Sequence, residues 1–238
     1  MEKYGRSAVC EFLGDNIVYR NLVPVNRDIP GLQELWEQAG LDSSQVPRKT
    51  TTDYARIVAC MLEHAARHRK PGAPIMNLVF IGDTHLNDGT AFHNICLAGE
   101  WPGMAFIAAE KDEPGRIHVE DKGAGRLLLA NRWSALDEFE AYCVQHDFHI
   151  DEQTVVLLDL DKTTLGARGR NDKVIDQVRI SAAKQTIHKL LGEDFDEELF
   201  TAAYQRLNQP EFHPFTGDNQ DYLVYICMIL GSGLTSLD

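Results

Sequence analysis

Two stretches of the chain are dominated by apolar residues and both end in acidic clusters. Thr154-Val155-Val156-Leu157-Leu158 runs into Asp159-Leu160-Asp161-Lys162-Thr163-Thr164. Ile75-Met76-Asn77-Leu78-Val79-Phe80-Ile81 runs into Gly82-Asp83-Thr84-His85-Leu86-Asn87-Asp88. Runs of this kind predict strands buried on both faces, as in a parallel sheet. Elsewhere the period changes. Tyr54, Ile57, Val58, Met61, Leu62 and Ala65 recur at helical spacing and predict a helix over about 53–68, closed by the basic run Arg67–Lys70 and the breaker Pro71-Gly72-Ala73-Pro74. A helix is expected from Ala91 to Leu97, strands at Met104–Ala109 and Arg126–Ala130, and a helix over about 134–146. Before them, Ile17–Val25 has strand character that Pro24 confines to an edge or an end, and a helix over 32–39 stops at Gly40. Strands alternating with helices through residue 150 predict an open α/β sheet.

Beyond Thr163 the pattern is different. Leu165–Arg170 reads as a basic turn, followed by helices over about 173–191 and 196–208, with Asp194 or Asp196 to cap the second. Leu223–Leu230 is a further apolar helical piece, and no strand-like alternation intervenes between 170 and 222. The expected organisation is an α/β core over 1–165 and a helical region over 166–238.

Composition narrows the function classes. The 238 residues carry a formal charge of −13 and no Lys/Arg cluster, which argues against a nucleic-acid partner. It leaves room for a phosphorylated one, because one cation and one or two basic residues set the local potential. No apolar run is long enough for a membrane span and no N-terminal signal pattern stands out, so a cytoplasmic protein is expected. The five cysteines lie far apart with no CxxC and read as free thiols. The histidines show no metal-ligand spacing.

The chemistry is concentrated at the two strand ends. Ligands of open α/β sheets gather outside the carboxyl ends of strands. Carboxylates brought together there need a cation or a shared proton. Taken singly, Asp83 also reads as a turn residue capping the next helix, and Lys49, in the polar loop before residue 53, as a solvated lysine.

The hhhhDxDxT pattern at 155–163 resembles motif I of the haloacid dehalogenase-like superfamily, and Gly82-Asp83 with Asp88 resembles its motif IV. Lys49, ahead of the helix that leads to the motif IV strand, resembles its motif III; Lys70 is the other lysine near that helix. The resemblance implies a three-layer Rossmann-like core with a mainly parallel sheet and a helical cap. It implies a Mg²⁺-dependent phosphatase acting on a small phosphorylated molecule through an aspartyl-phosphate. Asp159 is then the nucleophile, Asp161 the acid/base, Thr163 an orienting residue, and Lys49 the partner of nucleophile and phosphoryl group. Mg²⁺ is then held by Asp159, the Asp161 carbonyl, Asp83 and Asp88, the last directly or through water, with Asn87 as an alternative. Arg168 and Arg170 are candidates for substrate contact. The motif order departs from the family's, since the III-like and IV-like elements precede the I-like one. Either the chain is circularly permuted or it is part of a longer protein. A motif II hydroxyl is not evident: Val25-Asn26-Arg27 has none, and Ser232, Thr235 and Ser236 are the alternatives. The competing function is a non-catalytic Mg²⁺- or phosphate-binding regulatory module on the same fold, related to receiver-like phospho-acceptor domains. The oligomeric state is left open.

Overall fold

A computed structural model describes residues 17, 19–164, 172–212, 215 and 220–236. The chain forms two compact units, Met1–Gly169 and Arg170–Asp238. In the first, the elements run β1 (Tyr19–Arg20), β2 (Val23–Pro24), α1 (Leu32–Leu35), α2 (Thr52–Arg69), β3 (Asn77–Gly82), α3 (Thr90–Gly99), β4 (Gly103–Ala108), β5 (Ile117–Asp121), β6 (Gly125–Ala130), α4 (Leu136–Gln145) and β7 (Thr154–Leu158). Strands β3 to β7 make a five-stranded sheet in the order β5-β6-β4-β3-β7. All its neighbours are parallel except β5, which pairs antiparallel with β6.

Alternation along the strands builds a core on each face. Leu78, Phe80, Ala105, Ile107 and Leu127 pack with buried residues of α2 and α3. Val79, Met104, Phe106 and Leu128 pack with Phe139 and Cys143 of α4 on the other side. The first unit is therefore helix on sheet on helix. Helix α3 lies close to the sheet because Gly103 and Gly125 face each other in register and make room for Phe92. A Cβ would come within 2.6 Å of the Phe92 ring at Gly103, and within 2.5 Å at Gly125. Phe92 is fully buried, so Phe92→Ala is expected to cost about 3–5 kcal/mol in urea-monitored unfolding; a loss under about 1 kcal/mol would show that this glycine-lined slot is not what seats α3.

Several expectations need correction. Strand β7 is not buried on both faces: Val156 and Leu158 are 46% and 42% exposed, while Val79, opposite Val156 on β3, is 2% exposed. The reason is position. β7 is outermost among the described strands, and α4 packs on β4 through Phe139 and Phe106 (centroids 5.7 Å apart). The Ile17–Val25 strand is broken by Asn21 and Leu22, whose φ angles of 51° and 60° turn the chain into the short antiparallel pair β1–β2. The 32–39 helix is regular only over Leu32–Leu35 and continues as turns to Gly40. Strand β5 was not expected, because Ile117-His118-Val119-Glu120-Asp121 carries the polar composition of an exposed edge.

The second unit is helical: α5 (Asp172–Leu191), α6 (Glu197–Leu207) and α7 (Gln220–Gly231). Phe195, Phe200, Tyr204, Leu207, Leu223 and Cys227 are buried in its core. Asp196 caps α6 by accepting from Leu199 N at 2.8 Å. Ser232 donates to the Ile229 carbonyl at 2.8 Å at the end of α7. Arg168 and Arg170 lie outside the described residues. Among the described residues, no helix is long and apolar enough to cross a membrane.

Candidate active site

Strands β3 and β7 are parallel neighbours, with Ile81 opposite Leu158, so their carboxyl ends open at the same level. Asp159 N donates to the Ile81 carbonyl at 2.9 Å, which fixes the residue just past β7 against β3. Its carbonyl is in turn bound by Thr164, through Oγ1 at 2.7 Å and N at 3.3 Å. Between them, Lys162 turns the chain with φ 58° and ψ 6°. Asp161 lies in this turn and is exposed. Thr163 Oγ1 is buried without a hydrogen-bond partner.

The opposite wall comes from the turn after β3. Asp88 is 1% exposed, the one buried charged residue among the described residues. Its Oδ2 accepts from Asp83 N and Thr84 N, both at 2.8 Å, and from Thr84 Oγ1 at 2.9 Å. The carboxylate thus satisfies backbone donors at the start of the turn that leads into α3, as a helix cap does. Gly82 makes this possible, since a Cβ there would stand 2.6 Å from Asp88 Oδ2. Gly82→Ala is expected to destabilise the protein by about 3 kcal/mol in chemical denaturation, by forcing the carboxylate off its donors; unchanged stability would mean that the turn adjusts freely.

Lys49 joins the two walls. Its Nζ binds Asp159 Oδ1 at 2.7 Å and also pairs with Asp88 Oδ1, with the Phe80 ring centroid 5.8 Å away. The loop that carries it is fixed by Thr51, whose hydroxyl donates to the Arg48 carbonyl at 2.8 Å and accepts from Tyr54 N at 3.3 Å. Asn94 of α3 holds the Thr50 carbonyl at 3.1 Å. Lys70, the other lysine near α2, instead pairs with Glu152 on the surface.

The electrostatics follow from burial and charge. Burial alone would lower the Lys49 pKa, but Asp88 and Asp159 outweigh it and hold the ammonium above its usual range. For Asp88, burial pushes upward, and Lys49 with the Thr84 and Asp83 amides overcomes it, so the carboxyl lies below its usual value. Asp159 comes out raised: burial dominates, Lys49 opposes it, and the Asp88 charge adds to it. Burial also raises the Tyr54 phenol, which sits in the field of Lys49, Asp159 and Asp88.

Asp83, Asp88 and Asp159 each offer a carboxylate oxygen, and these lie within 4.8 Å of one another. An oxygen-only donor set of this size suits a hard divalent cation. Asp83, Asp88, Asp159 and Lys49 are therefore brought together, with Asp161 and Thr163 in the turn that follows Asp159. Thr84, Thr164 and Tyr54 were not singled out in the sequence. Tyr54 was hidden in the apolar stripe of α2, although its place in the first turn after Lys49 was a signal. Thr164 was overshadowed by Thr163.

No protein-family model matches the chain, and neither does any curated protein or any solved structure.

Proposed function

We propose that the protein is a Mg²⁺-dependent phosphohydrolase of the haloacid dehalogenase-like type that works through an aspartyl-phosphate. The observation that carries this reading is the contact of Lys49 with Asp159 at the carboxyl ends of two parallel strands, within a group of three converging carboxylates. Asp159, Asp83 and the Asp161 carbonyl are the residues to hold Mg²⁺, with Asp88 completing the cluster. The ion would neutralise charge on the phosphoryl oxygens and on the carboxylates.

The residues then divide the work. An oxygen of Asp159 attacks phosphorus, and the bond from phosphorus to the leaving oxygen breaks. Asp161 gives its proton to that leaving oxygen. In the second half, Asp161 takes a proton from water as the water attacks the same phosphorus. The phosphorus–Asp159 bond breaks, and phosphate and the free carboxylate are restored. Lys49 keeps Asp159 oriented and supplies positive charge to the equatorial oxygens in transfer. Thr163 supports the Asp159 carboxyl. The substrate is a small phosphorylated molecule.

One observation favours a second reading, a non-catalytic Mg²⁺- or phosphate-binding module. β7 is outermost among the described strands, so none of them flanks Asp159 on its far side to present a Ser or Thr hydroxyl. Assay of a generic aryl phosphate with Mg²⁺ separates the two. A hydrolase turns it over, and Asp161→Asn lowers that turnover by a factor of about 100 to 10,000. A binding module retains metal and shows no turnover in either protein.

A further inference from the structure

Several hydroxyl groups surround the site, and most are committed within the protein. Thr84 Oγ1 donates to Asp88 Oδ2 at 2.9 Å, and Thr164 Oγ1 donates to the Asp159 carbonyl at 2.7 Å. Thr51 Oγ1, in the loop that carries Lys49, donates to the Arg48 carbonyl at 2.8 Å and accepts from Tyr54 N at 3.3 Å. Thr163 Oγ1 has no partner, but it is buried away from solvent. Tyr54 differs from all four. It stands in the first turn of α2, just past the Thr51 cap. Its ring packs against the core that contains Phe80, the same core that Val155 and Leu157 of β7 join. The phenol lies within electrostatic reach of Lys49, Asp159 and Asp88. Yet its hydroxyl makes no hydrogen bond among the described residues, and it is not closed off from solvent as Thr163 Oγ1 is. Burial holds the phenol above its ordinary range, so it keeps its proton at neutral pH and remains a donor.

We propose that the Tyr54 hydroxyl is a substrate-binding group, which donates a hydrogen bond to an oxygen of a phosphoryl group seated at Asp159. This rests on the phosphohydrolase reading above for the ligand, and on the structure for the placement of the hydroxyl. The charge balance of the site gives such a donor a role. The Lys49 ammonium is already shared between Asp88 and Asp159, and a phosphoryl group adds further negative charge beside it. A neutral donor stabilises a phosphoryl oxygen, and no bond within the protein has to break to release it. The ring is held by the core, so little side-chain freedom is lost when the hydroxyl engages a ligand.

The test uses inorganic phosphate as the probe, with the full chain and saturating Mg²⁺, and reads affinity by calorimetry. Tyr54→Phe removes the hydroxyl and keeps the ring in the core, so it should melt as wild type does. It should bind Mg²⁺ unchanged and bind phosphate about 10- to 100-fold more weakly, the range for a hydrogen bond to a charged acceptor. Phosphate affinity within about twofold of wild type overturns the proposal. So does a matching loss of Mg²⁺ affinity, which would make Tyr54 a support of the metal site. A direct readout comes from protein labelled with 3-fluorotyrosine. The fluorine resonance that is missing in Tyr54→Phe should shift when phosphate is added to wild type, and no shift at saturating phosphate overturns the contact. Wild type that binds no phosphate overturns it as well. Assay of the aryl phosphate separates this from the reading it rests on. Wild type that binds phosphate without hydrolysing the ester removes the catalytic reading, and the Tyr54→Phe comparison still decides the contact. Hydrolysis by wild type, with equal phosphate affinity in the two proteins, keeps that reading and overturns the proposal.

Discussion

Asp159→Asn is expected to reduce Mg²⁺-dependent hydrolysis of an aryl phosphate by a factor of about 10,000 or more, with little change in fold. The substitution keeps the shape of the side chain and the backbone bonds of residue 159 to Ile81 and Thr164. What it removes is the anionic oxygen proposed to form the bond to phosphorus, and the charge that Lys49 pairs with at 2.7 Å. The surroundings suit a nucleophile held in check. Burial raises the Asp159 carboxyl, and Lys49 offsets part of that cost. On the proposed mechanism, removing the group abolishes a step rather than weakening a contact, so the loss is expected on kcat. Equal rates in wild type and variant would exclude Asp159 as the attacking group.

Lys49→Met is expected to cost stability as well as turnover. It leaves Asp88 buried at 1% exposure without its cation, and breaking a buried pair in this way costs about 3–5 kcal/mol. Turnover should fall by a further factor of about 100 to 1000, the range for loss of one charged group at a transferring oxyanion. The stability loss carries a pH signature. With Lys49 gone, burial and mutual repulsion dominate at Asp88 and Asp159, and their folded pKa values rise above the unfolded value near about 3.9. The folded variant then binds more protons than the unfolded chain, so its stability falls as pH rises through that interval. In wild type the sign at Asp88 is opposite. Its pKa is held down, so its contribution is present above the unfolded value and lost as pH falls through the folded one. The deficit of Lys49→Met should therefore be largest at neutral pH and shrink continuously as pH falls through and below the ordinary carboxylate range in urea titrations. A deficit that does not vary with pH would show that Lys49 is not the charge that makes Asp88 tolerable.

Much of this arrangement was readable from the chain because it depends on local pattern. The apolar runs before Asp83 and Asp159 predicted strands of a parallel sheet, and β3 and β7 pair in parallel along their length. The stripe from Tyr54 to Ala65 defined α2 to within a residue or so at each end. What could not be read depends on neighbours in space. An apolar run looks the same in the middle of a sheet and at its margin, so the exposure of Val156 and Leu158 was hidden. The polar edge strand β5 is held by β6 rather than by its own alternation. At the site, the family resemblance implied Asp83 as a direct ligand and Asp88 as a second one, direct or through water. The spacing did not show that Asp88 turns back onto the Asp83 and Thr84 amides, nor that Lys49 arrives from a loop 110 residues before Asp159 in sequence.

The central claim is a covalent one, and the most direct measurement looks for the covalent species. Wild-type protein is mixed with an aryl phosphate and Mg²⁺, quenched in acid within the first turnover, digested and examined by mass spectrometry. The account predicts the mass of one phosphoryl group on the peptide spanning residues 154–162, located at Asp159, absent when Mg²⁺ is withheld and absent in Asp159→Asn. Phosphate release at full rate with no phosphorylated peptide, or a phosphoryl group at a residue other than Asp159, would contradict it.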